Sequence, residues 1–224
     1  MIRNISLLAG FSLMMGAVTA FGHGDTVPQS VNTAGLPELP EELGTENPWR
    51  EAEDTVLNKA VEVGAKGFNS NCARCHGLEA ISGGLAPDLR FLEANDFGDE
   101  WYLDRVLNGY EQNGAVKMPP FEGILTPEAI WAIRTYVETR PDDQEMAAAV
   151  DTVRDLRDKL QAAEGDPEAA KALAAELTEA GAAFEAPSGA PKTITVLDQA
   201  AYMVSQDPPL ITAAIDVLNS ALRD

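Results

Sequence analysis

The sequence predicts an all-α protein, and three features point that way. Apolar residues recur at helical spacing in segment after segment, from Val56 to Leu222. No stretch alternates apolar and polar side chains over a useful length. Residues 142–224 are rich in alanine and contain no Trp, Cys or His, a composition that favours helix.

The chain opens on an export signal, residues 1–20. Arg3 supplies the positive start, Leu7 to Val18 form an apolar run of 12 residues, and Val18-Thr19-Ala20 offers small residues to a signal peptidase. A spanning helix needs roughly 20 apolar residues, so cleavage and release into the periplasm are expected. No cysteine follows the run, which argues against a lipid anchor. Removing residues 1–20 moves the net charge from −20 to −21. Nucleic acid and anionic lipid surfaces are poor partners for such a chain. No second apolar run is long enough to span a bilayer.

Residues 21–47 are rich in Pro, Gly, Thr and Glu, without a sustained period, and predict an extended arm. Residues 48–141 hold all three tryptophans and both cysteines. Here the spacing predicts helices over Val56–Asn69, Glu100–Asn108 and Glu128–Thr139, with a short turn near Leu89–Ala94. Gly109 stops the second helix, while Thr126 caps the third and Pro127 takes its first position.

The boundary falls at Arg140-Pro141-Asp142-Asp143, and residues 142–224 form a helical extension. Met146, Val150, Val153, Leu156 and Leu160 make one stripe, and Gly165-Asp166-Pro167 stops one helix and starts the next. Leu173, Leu177 and Phe184 continue the stripe, so an antiparallel hairpin is expected. After a Pro187–Pro191 linker and a short helix around Tyr202, a last helix carries Ile211, Ile215, Leu218 and Leu222 on one face. The extension either covers hydrophobic surface or docks a partner.

Chemistry concentrates in Cys72-Ala73-Arg74-Cys75-His76. Two thiols on one turn suit thioether attachment to the two vinyl groups of a haem, with the adjacent histidine facing the iron. The rival readings are a thioredoxin-like dithiol, which needs a preceding strand, and half a zinc site, which needs a fourth ligand. A low-spin carrier needs a sixth ligand. Met118 lies 42 residues after His76, in Val116-Lys117-Met118-Pro119-Pro120-Phe121, where two prolines stiffen the loop behind the sulfur. Met146 and Met203 look like packing residues on tail helices. His23 is a rival ligand, or an amino-terminal copper site after cleavage, although a solvated terminal residue is its ordinary fate.

With those residues in view, residues 55–140 resemble a class I cytochrome c domain. Gly64, Phe68, Cys72, Cys75 and His76 match the first helix and haem loop of that family, and Met118-Pro119-Pro120-Phe121 matches its sixth-ligand loop. The resemblance implies that the Pro87 carbonyl accepts a hydrogen bond from His76. It also implies that the helix bearing Trp131 and Tyr136 crosses the first helix at Gly64. More narrowly, His23-Gly24-Asp25, Trp101-Tyr102 and the Met118–Arg140 stretch resemble the soluble cytochrome c acceptors of quinoprotein (PQQ-dependent) alcohol dehydrogenases. Residues 142–224 depart from the family pattern.

The resulting expectation is a periplasmic electron carrier, not an enzyme, with one haem c on Cys72 and Cys75 and with His76 and Met118 axial. A PQQ-dependent alcohol dehydrogenase is the expected donor, and an oxidase or second cytochrome the expected acceptor. The alternatives are a haem subunit of a membrane or dehydrogenase complex, with the extension as interface, and a haem enzyme or gas sensor with an open sixth position.

Overall fold

A computed structural model describes residues 27–222. The expected export signal and His23 lie outside the described residues.

Helix α1 (Asp54–Asn71) runs into the short helix α2 (Ala73–His76), so the first core helix ends on the cysteine motif. Helix α3 (Asp96–Asn108) begins at Asn95, whose side chain accepts from the Gly98 amide at 3.1 Å. Helix α4 (Pro127–Glu138) begins at Thr126, whose hydroxyl accepts from the Ala129 amide, with Pro127 in the first turn. The start of α4 follows the capping chemistry read from Thr126 and Pro127, whereas α3 begins four residues before the expected Glu100, at a cap its apolar spacing does not mark. The turn near Leu89 is a 3₁₀ helix, Leu89–Phe91.

Helices α1 and α4 form the main packing pair, with Leu57, Val61 and Phe68 of α1 against Ile130, Ile133 and Val137 of α4 in one buried cluster. Gly64 makes this crossing possible. A Cβ there would lie 1.9 Å from the Ala132 carbonyl oxygen, far inside van der Waals contact.

The all-α expectation needs one correction. Strands β1 (Tyr110–Gln112) and β2 (Ala115–Met118) form an antiparallel hairpin. Asn113 and Gly114 both have positive φ in its turn, the conformation that Asn-Gly favours in tight hairpins. The strands are short and exposed, so they carry no alternating pattern; the Asn-Gly pair is the signal that marks them.

The described part of the arm, residues 27–47, is fastened at several points. Gln29 exchanges two hydrogen bonds with Asn71, the Leu39 amide donates to Glu128, and Trp49 is buried against Ala60 and Trp131. At its end Asn47 and Arg50 enter a buried network with Asp99 of α3 and Arg134, Thr135 and Glu138 of α4. Two guanidinium and two carboxylate groups balance there, which is the condition for ions to be tolerated away from water.

Residues 142–222 form six helices among those described: α5 (Asp143–Ala148), α6 (Val150–Ala162), α7 (Pro167–Ala172), α8 (Ala174–Gly181), α9 (Val196–Val204) and α10 (Ile211–Ser220). They share a second core that includes Val153, Leu160, Leu177, Leu197 and Leu218. The expected hairpin is not the main motif. Helices α8 and α10 both pack on α9, which carries a Thr195–Asp198 capping box, and α6 packs on α10. The segment is bonded to the first core: the Ala94 amide donates to the Ser188 carbonyl, the Ser188 hydroxyl to the Glu138 carbonyl, and the Ile194 amide to the Thr139 carbonyl.

Candidate haem site

Cys72 terminates α1, with its amide donating to the Phe68 carbonyl at 2.7 Å. The chain then turns at once, and the Cys75 and His76 amides both donate to the Cys72 carbonyl at 3.1 and 3.0 Å. One helical turn therefore presents both thiols and the imidazole. Gly77, at φ 83°, ends that turn; a Cβ there would lie 1.8 Å from the Ile81 carbonyl oxygen.

His76 is buried, and its Nδ1 lies 2.9 Å from the Pro87 carbonyl oxygen. A carbonyl only accepts, so Nδ1 carries the proton and Nε2 presents a lone pair. Burial holds the His76 pKa below its ordinary value, although the Pro87 bond and the Asp88 charge pull the other way. The result is a neutral imidazole with a fixed tautomer, the form in which histidine ligates iron.

The rival readings of the cysteines lose ground here. Redox-active dithiols work through a lowered thiol pKa, whereas burial pushes the Cys72 thiol up to about 12, with Cys75 adding to the shift. The motif follows a helix rather than a strand. Among the described residues no group of three or more His, Cys, Asp and Glu side chains is arranged to hold a metal ion.

Met118 ends β2, opposite Tyr110, and packs against the cluster that Cys72 also borders. Pro119 and Pro120 follow, and the Phe121 amide then donates to the Val106 carbonyl at 2.8 Å, anchoring the loop to α3. Gly109 admits it: φ is 72°, and a Cβ would lie 2.5 Å from the Met118 carbonyl oxygen.

These residues fit a covalently held haem. The donor set is two thiols on one turn, an imidazole with Nε2 available, and a thioether. Around it the chain leaves apolar surface, with Leu78 and Leu85 each 73% exposed after His76, and Tyr110 and Val116 exposed on the hairpin with Met118. A flat apolar macrocycle is the kind of group such surface accommodates.

Several supporting residues escaped the sequence reading. Asp88 takes a bidentate contact from Arg90, Nε to Oδ1 at 3.0 Å and Nη2 to Oδ2 at 2.7 Å, and Arg90 continues to Asp143 at 2.9 Å. Burial pulls Asp88 upward, but the Arg90 bonds outweigh it and hold its carboxyl below the usual range. Arg140 reaches Glu79 and lies over the Tyr136 ring. Only the Asp-x-Arg spacing at Asp88 and Arg90 could have hinted at any of this.

Double replacement of Cys72 and Cys75 by alanine should yield a polypeptide without covalent haem, read by haem staining after denaturing electrophoresis. The unaltered protein should keep its stain.

Residues 59–137 match the family model described as cytochrome c oxidase, cbb3-type, subunit III. The chain is 49% identical to cytochrome c550 of Pseudomonas aeruginosa over 138 residues, covering 62% of this chain and 92% of that protein. It is 34% identical over 111 residues to the quinohemoprotein alcohol dehydrogenase ADH-IIG of Pseudomonas putida, half of this chain but 14% of that one. A second P. putida enzyme, quinohemoprotein alcohol dehydrogenase ADH IIB, is 36% identical over 93 residues, 42% of this chain and 13% of that one. No solved structure gives a significant match.

Proposed function

Because this chain belongs to the cytochrome c family, whose members transfer electrons and are not enzymes, we propose that it is a periplasmic acceptor of electrons from a quinoprotein alcohol dehydrogenase, which it passes towards a terminal oxidase. The observation that carries this reading is the 34–36% identity to a segment of two quinohemoprotein alcohol dehydrogenases. A haem domain built into such enzymes is suited, as a separate chain, to take electrons from a related dehydrogenase.

The protein carries covalently bound haem c, which supplies one-electron chemistry at iron. In this proposal Cys72 and Cys75 would hold it through their thiols, and His76 and Met118 would ligate its iron. Pro87 fixes the imidazole ring. The prolines after Met118 limit loop motion, so the sulfur stays in place without a large entropy loss. Thioether and imidazole ligation together would favour a higher potential than two nitrogens, as an acceptor of substrate-derived electrons needs. Nothing in outer-sphere transfer calls for an acid, base or nucleophile. Among the described residues no helix is long and apolar enough to cross a membrane.

Net charge shapes the encounter. The chain carries −20, while Arg74 and Lys117, close in sequence to His76 and Met118, are exposed and form no ion pair among the described residues. An acidic carrier with a less acidic rim should approach a basic patch quickly at low salt. Stopped-flow reduction by a purified quinoprotein alcohol dehydrogenase should therefore be fast, and should slow as ionic strength rises through about 0.1 M, where screening lengths fall near 10 Å. Reduction no faster than by an unrelated dehydrogenase would remove the partner assignment.

A further inference from the structure

We propose that the start of the C-terminal helical segment holds the haem histidine's hydrogen-bond acceptor in place, through a chain of side chains running from Asp143 to Arg90 to Asp88. The inference rests on His76 being the haem ligand and adds positioning residues to it.

Asp88 directly follows Pro87, the residue whose carbonyl accepts from His76. Both Asp88 oxygens are occupied. Arg90 contacts Oδ1 through Nε and Oδ2 through Nη2, the Arg90 amide donates to Oδ1 at 3.1 Å, and the Ser82 amide to Oδ2 at 3.4 Å. The remaining guanidinium nitrogen, Nη1, reaches Oδ1 of Asp143 in α5. Arg90 is only 3% exposed, so this planar group is fixed between two carboxylates rather than solvated.

The half of the loop next to Pro87 has little else to hold it: Ala80 is fully buried, but Ile81, Gly83, Gly84 and Leu85 are exposed. Between His76 and Pro87 the backbone passes through positive φ at Gly77, Glu79, Ala80 and Gly84, and a Cβ at Gly83 or Gly84 would meet nothing within 4 Å. Inside the loop the Ser82 hydroxyl donates to the Ala86 carbonyl and accepts from the Gly84 amide at 3.0 Å, and at the loop's start Arg140 grips Glu79. Pro87 therefore takes its position largely from Asp88. A ring N–H held on a carbonyl makes the histidine a more basic ligand, which favours oxidised iron. Loosening the brace should weaken that bond and raise the potential.

The test uses the full-length haem-loaded protein, with two readouts: solvent exchange of the His76 ring N–H, followed by proton NMR in the reduced state, and the reduction potential. Asp143→Ala should speed exchange by about tenfold, the scale set by losing one hydrogen bond, and raise the potential. Arg90→Gln should speed exchange likewise. Glu145→Ala removes the same charge from α5 without touching Arg90, and Lys192→Ala cuts the contact with Asp54 elsewhere; both should leave exchange unchanged. Exchange in Asp143→Ala equal to that in the two controls, with a potential no higher than in Glu145→Ala, would overturn the proposal. A wild-type protein lacking any haem-shifted histidine N–H would instead remove the ligand assignment, and the proposal with it.

Discussion

Asp99→Ala should lower the free energy of unfolding by about 3–5 kcal/mol, the cost of breaking a buried ion cluster by removing one partner. Asp99 is fully buried and accepts from Arg50 Nη2 at 2.7 Å, from Arg134 Nε at 2.8 Å and from the Asn47 amide at 2.9 Å. Without it, Glu138 alone would face two guanidinium groups, one of them fully buried. The damage should spread, because the cluster ties the end of the arm to α3 and α4 at once. Equilibrium denaturation of the haem-loaded protein measures the loss. Glu62→Ala makes the contrast: its pairs with Lys59 and Lys66 are partly exposed and should contribute no more than about 1 kcal/mol together.

Gly64→Ala should cost about 3 kcal/mol or more, at the upper end of overpacking effects. Alanine favours helix over glycine by about 1 kcal/mol, so an exposed site would gain from the change. Here the new methyl group meets backbone: 1.9 Å from the Ala132 oxygen, 2.6 Å from its carbonyl carbon, and 2.8 Å from the Tyr136 Cβ. Neither helix can yield without moving as a body, and α1 leads directly into Cys72. Gly67→Ala provides the internal comparison. Its Cβ would meet Ile133 side-chain carbons at 2.9 and 3.0 Å, which a rotamer change can relieve. A thermal melt should place Gly67→Ala between wild type and Gly64→Ala.

The sequence exposes features that are local in the chain. Cys72, Cys75 and His76 share one turn, Thr126 and Pro127 announce α4, and Gly64 stands out as a glycine inside a helical period. Long-range polar pairing leaves no such trace. Asn47 and Glu138 are 91 positions apart, as separated as any pair in the buried network, and nothing in either residue type predicts a buried partner. Arg90 and Asp143 are equally mute, since a charged residue near a helix start reads as a solvated one. The tail was legible as helices and not as an arrangement. Amphipathic stripes say that a face is covered, and they do not say which neighbour covers it; α9 became the central partner because both α8 and α10 present apolar faces to it.

The central claim, a six-coordinate haem c carrying single electrons, is tested most directly at the iron. The absorption spectrum of the oxidised protein should show the weak long-wavelength band of sulfur ligation, and the reduced protein should bind carbon monoxide poorly. Met118→Ala should abolish the band and open the reduced protein to carbon monoxide while the haem stays attached. Avid carbon monoxide binding by the unaltered protein, without that band, would contradict the account.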